Sequence, residues 1–369
     1  MRKLASIRRI DKLEPIPGAD LIWKATIGGW ELVTAKDNGF KEGDLVVYLE
    51  IDSWVPHELA PFLSKGSEPR VYNGVKGERL KTIKLRGQIS QGLILPVPDY
   101  IIQGAGNLFA EGLDLTDALG IQKWEKEIPA QLAGQCRGNF PSFITKTDQE
   151  RCQNLKKEIF EENKDTKYEV TLKMDGSSMT VYCKTDWEFA VPAPYLGEVT
   201  KGVCSRNLDL KLDQEGNSFV DMAIGSGLLE VLTQYCVTNY KSLAIQGELC
   251  GPGIQGNKDG FNKTRYNVFD IFDIDKQKYL TPAERTKVFN DLISLLPEEA
   301  QIYHVPVLHN DVTLADIGIS EVKGLLELAE GKSTFNPNSE REGLVFKSMD
   351  GNFSFKAISN KFLNKNGDE

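Results

Sequence analysis

Tyr168-Glu169-Val170-Thr171-Leu172-Lys173-Met174-Asp175-Gly176 is the stretch on which the reading of this chain turns. Tyr168–Leu172 is strand-like and delivers Lys173 at a strand end, just ahead of Asp175 and Gly176. A lysine so placed is suited to attack a phosphorus atom. Its amine forms a phosphoramidate, and the high-energy P–N bond lets a bound nucleotide be passed on. The amine must be neutral to attack, although lysine's ordinary pKa is about 10.4. Nearby cations, another lysine or a metal, are expected to lower it. Asp175 is expected to orient a metal or its waters, and Gly176 to let the backbone turn closely past a nucleotide. The pattern is short, and a surface turn after a strand would produce it too.

The residues that follow decide between these readings. Cys204-Ser205-Arg206-Asn207 offers an arginine suited to ribose or phosphate. Gln246-Gly247-Glu248-Leu249 puts a carboxylate near the end of an apolar strand, where an unpaired charge would be costly. Asn267-Val268-Phe269-Asp270 carries an aromatic ring in a strand, and Arg341-Glu342-Gly343-Leu344-Val345-Phe346-Lys347 a second carboxylate at a strand mouth. Phe355-Lys356 sets a lysine inside an apolar strand, where it either snorkels to solvent or, if buried, calls for an anion. Taken singly, each has an ordinary reading as a solvated acid, a surface arginine or a core ring.

Working outward, Thr147-Asp148-Gln149-Glu150 offers a capping box, Thr147 with Glu150, expected to open a helix through Cys152, Leu155 and Ile159. Further helices are expected over Phe219–Tyr240, over Pro282–Leu296 capped by Thr281, and over Glu321–Glu330. Strands are expected over Ser242–Leu249, Tyr266–Ile274, Gly343–Ser348 and Phe353–Ile358. Strands interleaved with helices give an α+β domain over residues 146–369. Residues 98–145 read as a connector with a short helical signal at Leu115–Lys126.

Residues 1–97 read as strands: Leu21–Ile27 and Trp30–Lys36 around the turn Gly28-Gly29, then Leu45–Ile51 and Gln91–Val97. Short strands with glycine turns suggest a closed barrel of OB type. Arg79–Arg86 alternates basic and apolar residues, so one face of a strand could pack while the other stays positive. A solvated edge kept positive against aggregation reads the same way.

Composition narrows the class. The chain has 369 residues, 40% apolar and 26% charged, as an ordinary globular protein has. No apolar run is long enough to cross a bilayer, and the start leads straight into strand-like sequence. Six scattered cysteines fit a reducing, cytoplasmic setting, with neither a disulfide frame nor a zinc site. The three histidines have no metal-ligand spacing. A net charge of −9 argues against whole-surface nucleic-acid binding but leaves room for a local basic groove.

Lys173-Met174-Asp175-Gly176, Ser205-Arg206-Asn207, Gly247-Glu248-Leu249, Val268-Phe269-Asp270, Glu342–Lys347 and Phe355-Lys356 resemble, in order, motifs I, Ia, III, IIIa, IV and V of the covalent nucleotidyltransferases. These are the ATP-dependent DNA and RNA ligases and the messenger-RNA capping enzymes. Within them the chain is similar to nick-sealing RNA ligases that carry an N-terminal OB-fold module. Phe140–Asp148 with Arg151 and Asn154, and the Gly43–Tyr48 strand, are similar to segments of that clade. Its motif V departs from the common Lys-x-Lys, having Ile358 at the second place; Lys347 or Lys361 is left to supply that charge. The chain ends soon after Lys356, without room for the second barrel usual in DNA ligases and capping enzymes, which favours the RNA ligase branch.

The resemblance implies three nucleotidyl transfers: ATP to Lys173, AMP to the 5′-phosphate of a nick, and sealing by the 3′-hydroxyl, as in RNA repair. It assigns Lys356 to the α-phosphate and Arg206 to the ribose or 5′-phosphate. Phe269 would stack on adenine, Lys347 and Gly176 would line the nucleotide site, and Asp175, Glu248 and Glu342 would hold Mg2+ or Mn2+. The barrel would grip a nicked duplex with an RNA 3′ end through Lys76, Arg79, Lys81, Lys84 and Arg86. No membrane or protein partner is indicated. The rival readings are a DNA or sugar-indifferent nick ligase and a noncatalytic RNA-binding OB protein.

Overall fold

Strand Leu45–Leu49 shows how the first part of the chain is built. It pairs antiparallel with Ala5–Arg9 on one side and Leu93–Leu95 on the other. Val47 and Leu49 point into a cluster with Leu4, Ile7, Val55, Leu80 and Ile101. Val46 and Tyr48 point into another with Ile10, Ala25, Trp30 and Leu32. A strand buried on both faces has no polar side, hence the unbroken run Leu-Val-Val-Tyr-Leu. Each such side chain contributes about 1.5–3 kcal/mol by leaving water.

In the computed structural model, residues 3–106, 109–125, 134–188 and 195–366 are described. They form two compact units. The first comprises Met1–Glu127, Gln153–Lys156 and Asn360–Glu369; the second comprises Ile128–Cys152 and Lys157–Ser359. In the first unit, Lys12–Ile16, Ala19–Ile27 and Trp30–Ala35 form a meander. Its second turn closes at Ile27 and Trp30, with Gly28 at φ 54° and Gly29 at φ 90°, as the expected two-residue hairpin requires. Asn154 joins this unit by accepting from Trp30 Nε1 at 2.9 Å and donating to Glu50.

The second unit has two sheets. The larger runs Cys136–Asn139, Leu208–Leu210, Tyr195–Cys204, Ser177–Glu188, Leu243–Cys250, Arg265–Asp273, Lys278–Tyr279, with Ile302–His304 parallel to Arg265–Asp273. Helices Ser218–Gly225, Leu228–Thr238 and Pro282–Ile293 share a core with it through Leu232, Cys236, Val288 and Leu292 against Met179, Val181, Ile245 and Val268. The smaller sheet runs Glu150–Arg151, Ser354–Ile358, Gly343–Ser348, Tyr168–Lys173, Val307–Val312. The mixture is the expected α+β.

Several local expectations change. The Thr147 segment opens no α-helix: Glu150–Arg151 pairs parallel with Ser354–Ile358, followed by a 3-10 turn at Cys152–Asn154 and a π-helical turn at Glu158–Glu162. Sheet pairing and the change of unit after Cys152 override the capping signal. The helix expected over Phe219–Tyr240 is broken at Gly227, whose φ of 80° ends one helix and starts the next. Thr281 and Glu284 do form their capping box. Among the described part of Leu115–Lys126 there is no helix, only turns and the strand Gln122–Lys123; the connector's helix is Asp99–Ala105 instead. The basic strand over Arg79–Arg86 is split: Val75–Arg79 joins one sheet, and Ile83–Leu85 pairs with Gln88–Ser90 as a separate hairpin turning at Arg86-Gly87. Among the described residues, no helix is long and apolar enough to cross a membrane.

Candidate active site

Lys173 ends strand Tyr168–Lys173, opposite Gly343. That register carries Glu342 across to the amine, and Lys173 Nζ donates to Glu342 Oε1 at 2.7 Å. Alternation along the smaller sheet sorts its side chains. Tyr168, Phe346 and Phe355 pack together on one face, the two phenyl rings stacked at 4.6 Å. The other face takes Glu169, Thr171 and Lys173 with Val345, Lys347 and Lys356. Three expected site lysines thus share a face because strands alternate.

The motif glycines are needed for close strand approach. A Cβ on Gly343 would overlap the Ala357 carbonyl oxygen, and one on Gly247 would lie 2.6 Å from that of Asn267. Gly176 was expected to make room for a nucleotide. Its added Cβ would instead meet the Leu249 carbonyl oxygen and lie 3.0 Å from Glu248 Cγ. It brings the segment after Lys173 against the strand that carries Glu248.

Charge is concentrated here. Burial pulls the Lys173 ammonium down, but Glu342, Glu248 and Asp175 outweigh it and hold the amine above an ordinary lysine. The nearest charges in the protein are carboxylates, so a lowering of the kind expected from a neighbouring cation would have to come from a bound metal. Burial pushes Glu248 up to about 8, against Lys173 and with Glu342. Glu342 is also raised by burial, opposed by Lys173. Arg206 eases ionisation of Glu248, donates to the Thr147 carbonyl at 3.2 Å and lies 3.7 Å from Asp148. Lys356 Nζ lies 3.6 Å from the same Asp148 oxygen. Lys258 Nζ lies 3.1 Å from Asp175 Oδ2. Asp148 and Lys258 lie outside the residues that the sequence motifs mark, because no periodicity or spacing reveals a partner supplied by a distant loop.

Phe269 is placed by a bulge. Gln246 faces Asp270 and Gly247 faces Val268, so Phe269 has no cross-strand partner and is half-exposed. Lys347 Nζ stands 5.6 Å from its ring centroid. Lys347 is buried, 2.7 Å from Asp270, in a network where Arg285 binds Glu169 and donates to His304 Nε2 at 3.0 Å. Burial lowers Lys347 despite Asp270. Ile358 is buried, and Lys361 lies in the first turn of helix Asn360–Asn366, which groups with the first unit.

Among the described residues, no three His, Cys, Asp or Glu side chains already converge as a metal site. Yet Glu342 Oε2 is buried without a hydrogen-bond partner. With Glu248 and Asp175 it forms an all-oxygen acidic set of the kind hard divalent cations take.

An OB-fold domain model matches residues 4–97, and an RNA ligase family model matches residues 166–358. A search of curated proteins returned no match. Among solved structures, a lysine-to-methionine mutant of Naegleria gruberi RNA ligase with AMP and Mn is 43% identical, with TM-score 0.77 and 100% of both chains covered. A glutamate-to-alanine mutant of that ligase with ATP and Mn is 43% identical, with TM-score 0.75 and 100% of both chains covered. The same ligase with PPi is 42% identical, with TM-score 0.75 and 100% of both chains covered.

Proposed function

This chain belongs to the RNA ligase family, and on that premise we propose that it seals 3′-hydroxyl/5′-phosphate nicks with an RNA 3′ end, through AMP carried on Lys173. It is an ATP-dependent RNA ligase with an OB-fold domain ahead of its nucleotidyltransferase domain. RNA repair is the role this reading gives it. The 1–97, 98–145 and 146–369 division remains our reading of its domains. Its six free cysteines accord with a reducing, cytoplasmic setting.

The observation that carries the proposal is the Lys173–Glu342 pair beside Glu248. The amine nitrogen attacks the α-phosphorus of ATP; the N–P bond forms and the P–O bond to pyrophosphate breaks. Glu342 Oε1, 2.7 Å away, is positioned to take the amine proton. The 5′-phosphate then displaces Lys173 from AMP, and the 3′-hydroxyl displaces AMP. Charge gathers on phosphate oxygens at each step, so fixed cations matter most. Lys356 is assigned to the α-phosphate, Arg206 to ribose or the 5′-phosphate, Phe269 to adenine, and Lys347 to holding Phe269 and its strand beside the nucleotide. Asp175, Glu248 and Glu342 would hold Mg2+ or Mn2+, which supplies positive charge to those oxygens. In the OB-fold domain, Lys81, Lys84 and Arg86 are exposed for phosphate contact, whereas Lys76 pairs with Glu68 and Arg79 with Asp52.

Reading RNA at the 3′ side calls for contact with 2′-hydroxyls or A-form shape. Sealing rates on matched nicks with RNA or DNA 3′ ends test it. Faster sealing of the RNA end is expected; equal rates would contradict the RNA preference and favour a sugar-indifferent ligase.

A further inference from the structure

We propose that Gln246 reads the base of the nucleotide, its side-chain oxygen accepting a hydrogen bond from the 6-amino group of adenine; this rests on the assignment of Lys173 to the AMP and of Phe269 to the base. Gln246 lies two residues before Glu248 on strand Leu243–Cys250, so the two side chains project from the same face of the sheet. Across the strand pair it faces Asp270, next to the bulge that leaves Phe269 half-exposed. Gln246 thus adjoins both the carboxylate of the Lys173 cluster and the segment that carries the ring.

The orientation of its amide is fixed. Gln246 Nε2 donates to the Thr145 carbonyl at 2.8 Å. A carbonyl only accepts, so the amide cannot turn over without setting two oxygens against each other. Tyr279 Oη donates to the same carbonyl at 2.8 Å, which uses its proton. Gln246 is 2% exposed, and among the described residues nothing donates to its Oε1. Its cross-strand neighbours, Thr180 and Asp270, supply no hydrogen bond to that atom either. A buried acceptor left unpaired is destabilising. Here it sits beside a nucleotide site, where a bound group can supply the donor.

Adenine carries that donor. Guanine and hypoxanthine have a 6-oxo group in its place, which would meet Oε1 oxygen to oxygen. Stacking on Phe269 does not choose among them, because every base has a π-face. A polar group of fixed orientation does choose, since the wrong base leaves the buried acceptor unpaired. Phe269 then supplies affinity for a base, and Gln246 supplies the preference for adenine.

Covalent loading of the full chain in Mn2+, followed by intact-protein mass spectrometry, tests this with three nucleotides: ATP, purine riboside triphosphate, which lacks the 6-amino group, and ITP, which has a 6-oxo group. At subsaturating nucleotide, wild type should load either analogue about tenfold or more slowly than ATP, the loss expected for an unpaired buried acceptor. In Q246L and Q246M, which keep the bulk and lose the acceptor, the ratio of ATP to purine riboside triphosphate should fall towards one. Each ratio is taken within one protein, so a smaller folded fraction cancels. Wild type that loads purine riboside triphosphate as fast as ATP would overturn the role of Gln246, with no variant needed. A wild-type ratio retained in both variants would overturn it as well, and would leave the Lys173 and Phe269 assignments standing. Wild type that loads none of the three would overturn the reading of Lys173 itself.

Discussion

Lys173 and Glu248 carry opposite charges in water but depend on each other here. Glu248 is raised from 4.5 to about 8, so the folded chain keeps a proton that the unfolded chain releases. Its contribution to stability is fully present below about pH 4.5 and is lost as pH rises through about 8. Without metal, the melting temperature of wild type should fall across that window relative to E248Q. Parallel curves for the two proteins would remove this account of Glu248. The Lys173 motif was legible as sequence because a nucleophile needs its neighbours in one short stretch. Lys258 and Asp148 were not, since a charge contact made by a distant loop leaves no mark on the local sequence. The direction of the Lys173 shift was likewise hidden until the carboxylates around it were placed.

At the scale of elements, strand register and a bulge set the site. Phe269 escapes pairing and stays half-exposed. F269A should therefore raise the KM for ATP about tenfold, given that base–aromatic stacking contributes about 1–3 kcal/mol. Its melting temperature should stay near wild type; an unchanged KM would argue that adenine stacks elsewhere. Gly343 allows the approach that delivers Glu342, and a Cβ there would overlap the Ala357 carbonyl oxygen. G343A should cost about 1–3 kcal/mol in urea unfolding, as overpacking does. A neutral result would mean that the two strands separate without penalty. Strands were legible where an apolar run sits at a strand mouth, as Leu344-Val345-Phe346 does in Gly343–Ser348, and the Thr281 cap was legible because it is local. The Thr147 cap signal misled because Glu150–Arg151 finds a sheet partner some two hundred residues away, which no local pattern encodes.

At the scale of the whole molecule, a chain of net charge −9 must confine its attraction for phosphate. The hairpin of Ile83–Leu85 and Gln88–Ser90, with Lys81 just ahead of it, offers Lys81, Lys84 and Arg86 for this. Replacing all three with alanine should flatten the dependence of duplex binding on log salt by up to about three phosphate contacts, with self-adenylylation intact. An unchanged slope would place the grip elsewhere. The alternation of the Arg79–Arg86 stretch revealed its charge, but not that it divides between a four-stranded sheet and a separate two-stranded hairpin. The central claim concerns Lys173 and is tested most directly by incubating the protein with α-labelled ATP and Mn2+ or Mg2+. Label should attach covalently to wild type, be discharged by pyrophosphate, and be absent from K173A. Unlabelled wild type, or label that persists in K173A, would contradict the account.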